Sequence, residues 1–413
     1  MEVVDALILL ATVAEFALLA VLERRLWGTI YTPLNILMIP FAIVAAISIA
    51  MLHIYDLYPF NYYTLVVWDV GLLFFFIPSA LLQLLKPKGN NEIDLPKPDI
   101  PFKPIAIGAL AIVLLLYAWH IRSAAMSGEA VMGTDDFAEK TSVNGVWGHT
   151  FTFLLAVEMI CARYLSRKNR WLIIPIFIII VFAVINQVKG YMIVPLCAIV
   201  IMNLIEGRLH IRLKTILLWG GGGFGFFFLS YYISLALSQD KGLEDHLINF
   251  IISNFLHYLS SGVLGLSVDL DKGVLEHTDW QYFFAPFVNV IRTLIGEKLY
   301  DHNLQFFFKT TWYDLGTNVR SFMGVLYVYG GMVVGPAIAM LISVISYGLR
   351  LAYLHTRRSL WLISDAWWCA LLFMGWFHYH FVLLRSLEVP FLIVFVAMVA
   401  NFLGTKRPKE VGA

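Results

Sequence analysis

Arg163 to Lys214 reads RYLSRKNRWLIIPIFIIIVFAVINQVKGYMIVPLCAIVIMNLIEGRLHIRLK, and the pattern in this stretch decides the fold class. Two apolar runs, 171 to 188 and 190 to 205, are separated by one cation, Lys189. Arg163, Arg167, Lys168 and Arg170 precede them, and Arg208, Arg212 and Lys214 follow. Each run is roughly long enough for a helix to cross about 30 Å of hydrocarbon. Two such helices leave one aqueous side and return to it, with the basic residues kept on that side. By the positive-inside rule that side is the cytoplasm.

The same alternation extends in both directions. Apolar stretches lie near 4 to 22, 33 to 52, 63 to 85, 104 to 121, 145 to 162, 171 to 188, 190 to 205, 215 to 237, 321 to 347, 361 to 378 and 389 to 403. Arg24, Arg25, Lys86, Lys88, Lys97, Lys103, Arg350, Arg357, Arg358, Lys406, Arg407 and Lys409 join the seven cations above on one side, 19 of the 29 Lys and Arg. Six more lie in the long segment 238 to 320, leaving Arg122, Lys140, Lys189 and Arg385 in short loops opposite. The expectation is an all-α polytopic membrane protein of about eleven spans, N-terminus outside and C-terminus inside. Met1-Glu2 offers no basic n-region and Arg24-Arg25 follow the first stretch, so it reads as a retained span and not a cleaved signal.

Composition agrees. With 60% hydrophobic and 14% charged residues the chain must be covered by lipid, and no soluble globular domain is left over. A net charge of +1 with basic residues scattered on loops excludes a nucleic-acid patch. Cys161, Cys197 and Cys369 fall inside spans without metal-ligand spacing and read as small packing residues.

Residues 1–85 form a three-span unit, and the Pro- and Lys-rich stretch 86–103 is a cytoplasmic linker. Spans four to eight occupy 104–237, a large outer segment fills 238–320, and 321–413 holds the last three spans and a tail. Gly220 to Gly223 and Gly225 lack the Lys-Ser/Thr of a phosphate loop and read as close packing or a kink in an apolar span. An outer segment of roughly eighty residues far exceeds what a connector needs. Within it Leu247, Ile248, Ile251, Ile252, Phe255, Leu256 and Leu259 share one helical stripe, and Asn249, Ser253, His257 and Ser261 share another. Such a helix lies at or dips into the outer boundary, its polar side facing water or lining a cavity.

Spans seven, nine and eleven run inward, so each presents a helix N-terminus, with free N–H groups, to the outer face. Each start carries a cation: Lys189, Arg320 after Thr317-Asn318, and Arg385. Lys189, Arg320, Asn318 and Arg385 are therefore the expected diphosphate-binding residues. A general base for an incoming hydroxyl must be an acid or histidine near that face. His257, His302, Asp314, His378, His380 and Glu388 qualify, and among them His257, Asp314, His378 and Glu388 join Arg320 as the catalytic candidates. Asp269-Leu270-Asp271 has the Asp-x-Asp form found in metal-dependent sugar-nucleotide transferases, but helix dipoles and cations stabilise a leaving diphosphate without a metal, and no metal or other cofactor is expected. Glu15 falls in mid-span and is a functional acid or one bonded to Ser, Thr or Tyr on a neighbouring span, with Asp69, Glu158 and Asp365 nearer span ends. Trp280, Tyr282, Phe283, Phe284 and Trp312 suit sugar stacking or interfacial anchoring.

Tyr313 to Gly335, YDLGTNVRSFMGVLYVYGGMVVG, resembles the Thr-Asn-Val, hydrophobic, Tyr, Gly-x-x-Gly run at the end of the large outer loop in Wzy-type oligosaccharide repeat-unit polymerases. Gln187-Val188-Lys189-Gly190-Tyr191 is similar to a basic turn of that family, with Lys where Arg is common and so without the bidentate fork. An acid often precedes Gly330 in the family, where this chain has Tyr329. The resemblance implies a metal-independent glycosyltransferase that moves a growing glycan from undecaprenyl diphosphate to a new lipid-linked repeat, making O-antigen or capsule at the periplasmic face of a bacterial inner membrane. It also implies donor and acceptor lipid-linked glycans and a chain-length regulator as partners. An O-antigen ligase and a lipid-glycan flippase or secondary transporter are the alternatives.

Overall fold

The computed structural model describes residues 3–52, 57–87, 103–126, 145–185, 190–210, 247–273, 279–300, 308–309, 316–317 and 319–404, with isolated positions between 211 and 246. Twelve α-helices are found among these residues. They are α1 (Val3–Trp27), α2 (Pro33–Met51), α3 (Tyr63–Leu82), α4 (Lys103–Met126), α5 (Gly145–Tyr164), α6 (Ile173–Ile185), α7 (Gly190–Ile205), α8 (Leu247–Lys272), α9 (Ala285–Ile295), α10 (Phe322–Thr356), α11 (Ser359–Phe373) and α12 (Leu384–Gly404). A two-residue antiparallel bridge pairs Phe308 with Thr317 and Lys309 with Gly316. The expected all-helical architecture is present, and helices coincide with ten of the eleven apolar stretches. Most of 215 to 237 lies outside the described residues.

Local chemistry accounts for the ends. The Thr32 side chain caps α2 by accepting from the Asn35 amide, and Pro33, with no N–H to lose, occupies its first turn. Gly296 closes α9 in the left-handed region, φ 75°. α10 is broken at Gly331, φ 60° and ψ −161°, a conformation open essentially only to glycine.

Five described helical segments are long and apolar enough to cross a membrane: Val3–Trp27, Pro33–Met51, Tyr63–Leu85, Ile251–Lys272 and Phe322–Thr356. Leu7, Leu10 and Val13 on α1, Val333 on α10 and Phe391 and Phe395 on α12 present their side chains outward, an apolar surface suited to lipid and not to water.

The chain divides into two compact units. Unit 1 comprises residues 1–85, 209–348 and 371–383. Here α1 packs against α3, and α8 against α2 and α3. Its core is aromatic: Phe41 stacks on Trp68 at 3.6 Å between ring centres, and Trp27 lies 5.0 Å from Tyr347. Glu23 is fully buried, and it accepts hydrogen bonds from Tyr347 at 2.8 Å and from Ser79. Unit 2 comprises residues 86–208, 349–370 and 384–413, with α5 central and packed against α4, α6, α7 and α12. Tyr117 stacks on Phe151 there, and two ion pairs, Arg350 with Asp365 and Arg163 with Glu206, are buried.

Two expectations change. The polar stripe of α8 does not face water: Ser253, His257 and Ser261 are 7%, 4% and 1% exposed, because α2 and α3 cover that side and Thr64 of α3 hydrogen-bonds Ser267 at 3.0 Å. Asn249 alone in that stripe is exposed. The glycine run is not a site of close packing at its described positions, since a Cβ on Gly221, Gly222 or Gly225 would meet nothing within 4 Å. The close approaches are elsewhere. A Cβ on Gly262 would lie 2.4 Å from the carbonyl oxygens of Trp376 and Phe377, and one on Gly330 would lie 2.6 Å from the Gly335 nitrogen.

Candidate functional site

Arg320 stands just before α10, and its backbone is pinned to α8 and α3. The Ser321 amide donates to the Gly262 carbonyl at 2.8 Å, and Trp68 Nε1 donates to Ser321 Oγ at 3.3 Å. With the backbone fixed, the guanidinium turns onto α8 and grips Asp269 side-on, through its Nε and Nη2 edge. Nη2 donates to Oδ1 at 2.9 Å and Nε to Oδ2. Both residues are buried, at 3% and 4% exposure. Burial works to lower the Arg320 pKa, but the hydrogen bond and charge of Asp269 outweigh it and raise the value.

Aromatic rings wall this pair. Tyr282 stacks on Tyr329 at 4.0 Å with planes 2° apart, and Tyr379 lies 5.5 Å from Phe322 and 6.3 Å from Phe283. Tyr282 and Tyr329 both lie within electrostatic reach of Arg320. Burial pushes the Tyr282 and Tyr379 hydroxyls up, so both remain protonated donors at any physiological pH. The turn His380–Val382 packs against the turn Trp280–Phe284 that carries Tyr282. His380 is buried there, with its ring 5.2 Å from His378, and its Nε2 has no hydrogen-bond partner among the described residues. Burial, with a smaller contribution from His378, lowers its pKa to about 3. It is thus a neutral imidazole with one unused nitrogen.

Between α3 and α10, at the break in α10, Val67, Val70, Gly71, Met323, Leu326 and Met332 line a shallow apolar dent with room for no more than about one water molecule.

The expected site residues divide among several places. Arg320, His257 and His378 belong to unit 1, with His257 buried on α8 and His378 immediately before the His380 turn. Arg385 and Glu388 belong to unit 2, one turn apart on α12, where Glu388 Oε1 lies 2.6 Å from His149 Nδ1. Lys189, Asn318, Asp314, His302 and Trp312 lie outside the described residues. The Asp-x-Asp acids take separate partners, Asp269 holding Arg320 and Asp271 accepting from Asn61 at 2.6 Å. Among the described residues no group of three acids, histidines or cysteines is arranged to hold a metal ion. Asp69 accepts from Thr12 at 2.7 Å, and Asp365 pairs with Arg350. Glu15 Oε1 and Glu158 Oε1 have no hydrogen-bond partner among the described residues.

Two features were missed in reading the sequence, the pairing of Asp269 with Arg320 and the burial of His380. The first was legible in part, because Asp269 falls on the side of α8 that also carries Asn254, His257 and Ser261. The second carried no local signal.

Residues 56–404 match the family of unknown function DUF6337, and the chain belongs to that family. No curated protein and no solved structure matches the chain.

Proposed function

We propose that this member of the DUF6337 family is a glycosyltransferase that polymerises undecaprenyl-diphosphate-linked repeat units into O-antigen or capsular polysaccharide at the periplasmic face of the inner membrane. The observation that carries the reading is the buried Arg320–Asp269 pair, walled by tyrosines and set on the segment that resembles the polymerases. In this reading the chain has eleven spans with the N-terminus outside, and α8, 72% of whose most apolar stretch is covered by protein, dips in from the outer side without adding a twelfth crossing.

The chemistry follows from the exchangeability of the pair. A donor diphosphate is a better bidentate acceptor than one carboxylate and takes the Arg320 fork from Asp269. The released carboxylate, or the neutral His380, accepts the proton of the acceptor hydroxyl as that oxygen attacks the anomeric carbon. The bond from that carbon to the diphosphate breaks, and the lipid diphosphate leaves as an anion held by Arg320. Tyr282 and Tyr379 offer hydroxyl donors and sugar-stacking faces. Asn318 remains a further diphosphate contact in this reading, and His257, Asp314 and His378 further acid-base candidates.

Purified protein in liposomes, given lipid-linked repeats on the outside only, is expected to lengthen them; unchanged repeats would defeat the proposal. In cells, loss of a polymerase leaves single repeats on lipid A, whereas loss of a ligase leaves none.

A further inference from the structure

A second cluster of charge lies in unit 2, at the end of the helices where the charge alternation puts the basic residues. Arg163 is in the last turn of α5, Glu206 and Arg208 follow α7, and Tyr353 and Arg357 end α10. Arg163 Nη2 lies 2.9 Å from Glu206 Oε1, and Arg208 Nε lies 3.0 Å from Glu206 Oε2. Tyr353 feels Glu206, Arg357 and Arg163 together, which places all of them around one ring. The Arg357 guanidinium sits over that ring at 5.6 Å.

Three details mark the cluster as incomplete. Among the described residues it holds three guanidinium groups against one carboxylate, so positive charge is in excess there. Arg163 is 4% exposed, yet its Nε–H has no acceptor among the described residues, and neither Glu206 oxygen receives an aligned hydrogen bond despite the short ion-pair distances. A buried donor without an acceptor is costly and rare. Arg357 also adopts a left-handed backbone, φ 54°, uncommon for a residue with a side chain, and its amide is tied to the Tyr353 carbonyl at 2.8 Å. The strained turn holds Arg357 over the cluster. Arg208 is 34% exposed, so the group is reachable from outside, and Arg167, Lys168 and Arg170 are exposed just beyond α5.

We propose that Arg163, Arg208 and Arg357 bind a phosphate-bearing anion, either the head group of an anionic phospholipid or a small free phosphate. Planar forks suit phosphate oxygens, and a basic pocket between helix ends at the membrane surface is where an anionic head group sits. Glu206 holds two of the arginines until the phosphate arrives. The site does not depend on the proposed transferase activity.

The test titrates detergent-purified full-length protein with short-chain phosphatidylglycerol, short-chain phosphatidylcholine and inorganic phosphate, reading bound ligand by native mass spectrometry. Phosphatidylglycerol is expected to bind in clear preference to phosphatidylcholine. The R208A/R357A double variant should weaken that binding about tenfold or more, as expected for lost charge-assisted hydrogen bonds. E206Q, which keeps every arginine and removes the competing acid, should strengthen it several-fold, a gain that misfolding cannot imitate. Binding of phosphatidylglycerol without inorganic phosphate assigns a lipid head group, and binding of both assigns a general phosphate site. The proposal is overturned if neither anion binds better than phosphatidylcholine, or if R208A/R357A loses nothing and E206Q gains nothing.

Discussion

Removing one partner of the Arg320–Asp269 pair should cost far more than removing both. Asp269→Ala leaves a guanidinium at 3% exposure without the carboxylate that takes two of its N–H groups, and Arg320→Ala leaves a carboxylate at 4% exposure in the same state. A surface ion pair contributes about 0–1 kcal/mol, but breaking a buried one costs about 3–5 kcal/mol because the survivor keeps its desolvation penalty. Replacing both with apolar side chains of similar volume, Arg320→Met with Asp269→Leu, is expected to lie within about 1 kcal/mol of the wild type, since no charge is stranded. With Arg320→Met and Asp269→Leu as the single variants, at the same cost each, the coupling between the two positions is about 5 kcal/mol or more. Reversible unfolding in mixed micelles measures each variant, and membrane abundance provides a cruder check. The stable double variant should make no polymer, which separates folding from chemistry, whereas Arg320→Ala alone loses polymer and protein together. Single costs near 1 kcal/mol that simply add in the double variant would refute the buried pair.

The glycines give a paired contrast. Gly331→Ala should lower stability by about 1–3 kcal/mol through backbone strain, and Gly262→Ala should displace the Trp376 and Phe377 carbonyls and so disturb Arg320. Gly222→Ala, in open space, should leave stability unchanged or raise it by up to about 1 kcal/mol; equal effects at all three positions would contradict the packing described. His380 makes stability depend on pH. Its folded value, about 3, lies below the ordinary 6.5, so the unfolded chain binds the extra proton in between and stability falls as pH drops from about 6.5 toward 3. The limiting slope is about 1.4 kcal/mol per pH unit, and His380→Phe should remove that component of the acid sensitivity seen in micelle unfolding.

Helix positions were legible because a bilayer demands long apolar runs, and α1, α2 and α3 sit within a few residues of where hydropathy puts them. α8 was legible as a helix but not in its environment. Its stripe of Ser253, His257 and Ser261 has the period of a wet face, and sequence cannot distinguish water from a polar seam against α2 and α3. The pairing of Arg320 with Asp269 spans 51 residues and depends on the docking of Ser321 on Gly262, a contact with no periodic trace. Arg320 itself stood out because cations are rare on the outer side. Its fork holds the Asp269 carboxylate, since a guanidinium buried this deeply needs a counter-charge.

The buried seam of α8 also constrains how the protein is made. A helix carrying asparagine, histidine, serines and aspartate along one side partitions poorly into bare lipid, so the translocon would not release it sideways as readily as α1 or α2. Its bed of α2 and α3 is synthesised more than 160 residues earlier, by the count from Leu82 to Leu247. Assembly of this unit is consequently sequential, the early hairpin settling first and the late helix inserting against it, and a ribosome stalled before residue 247 would leave Thr64 of α3 waiting for its Ser267 partner.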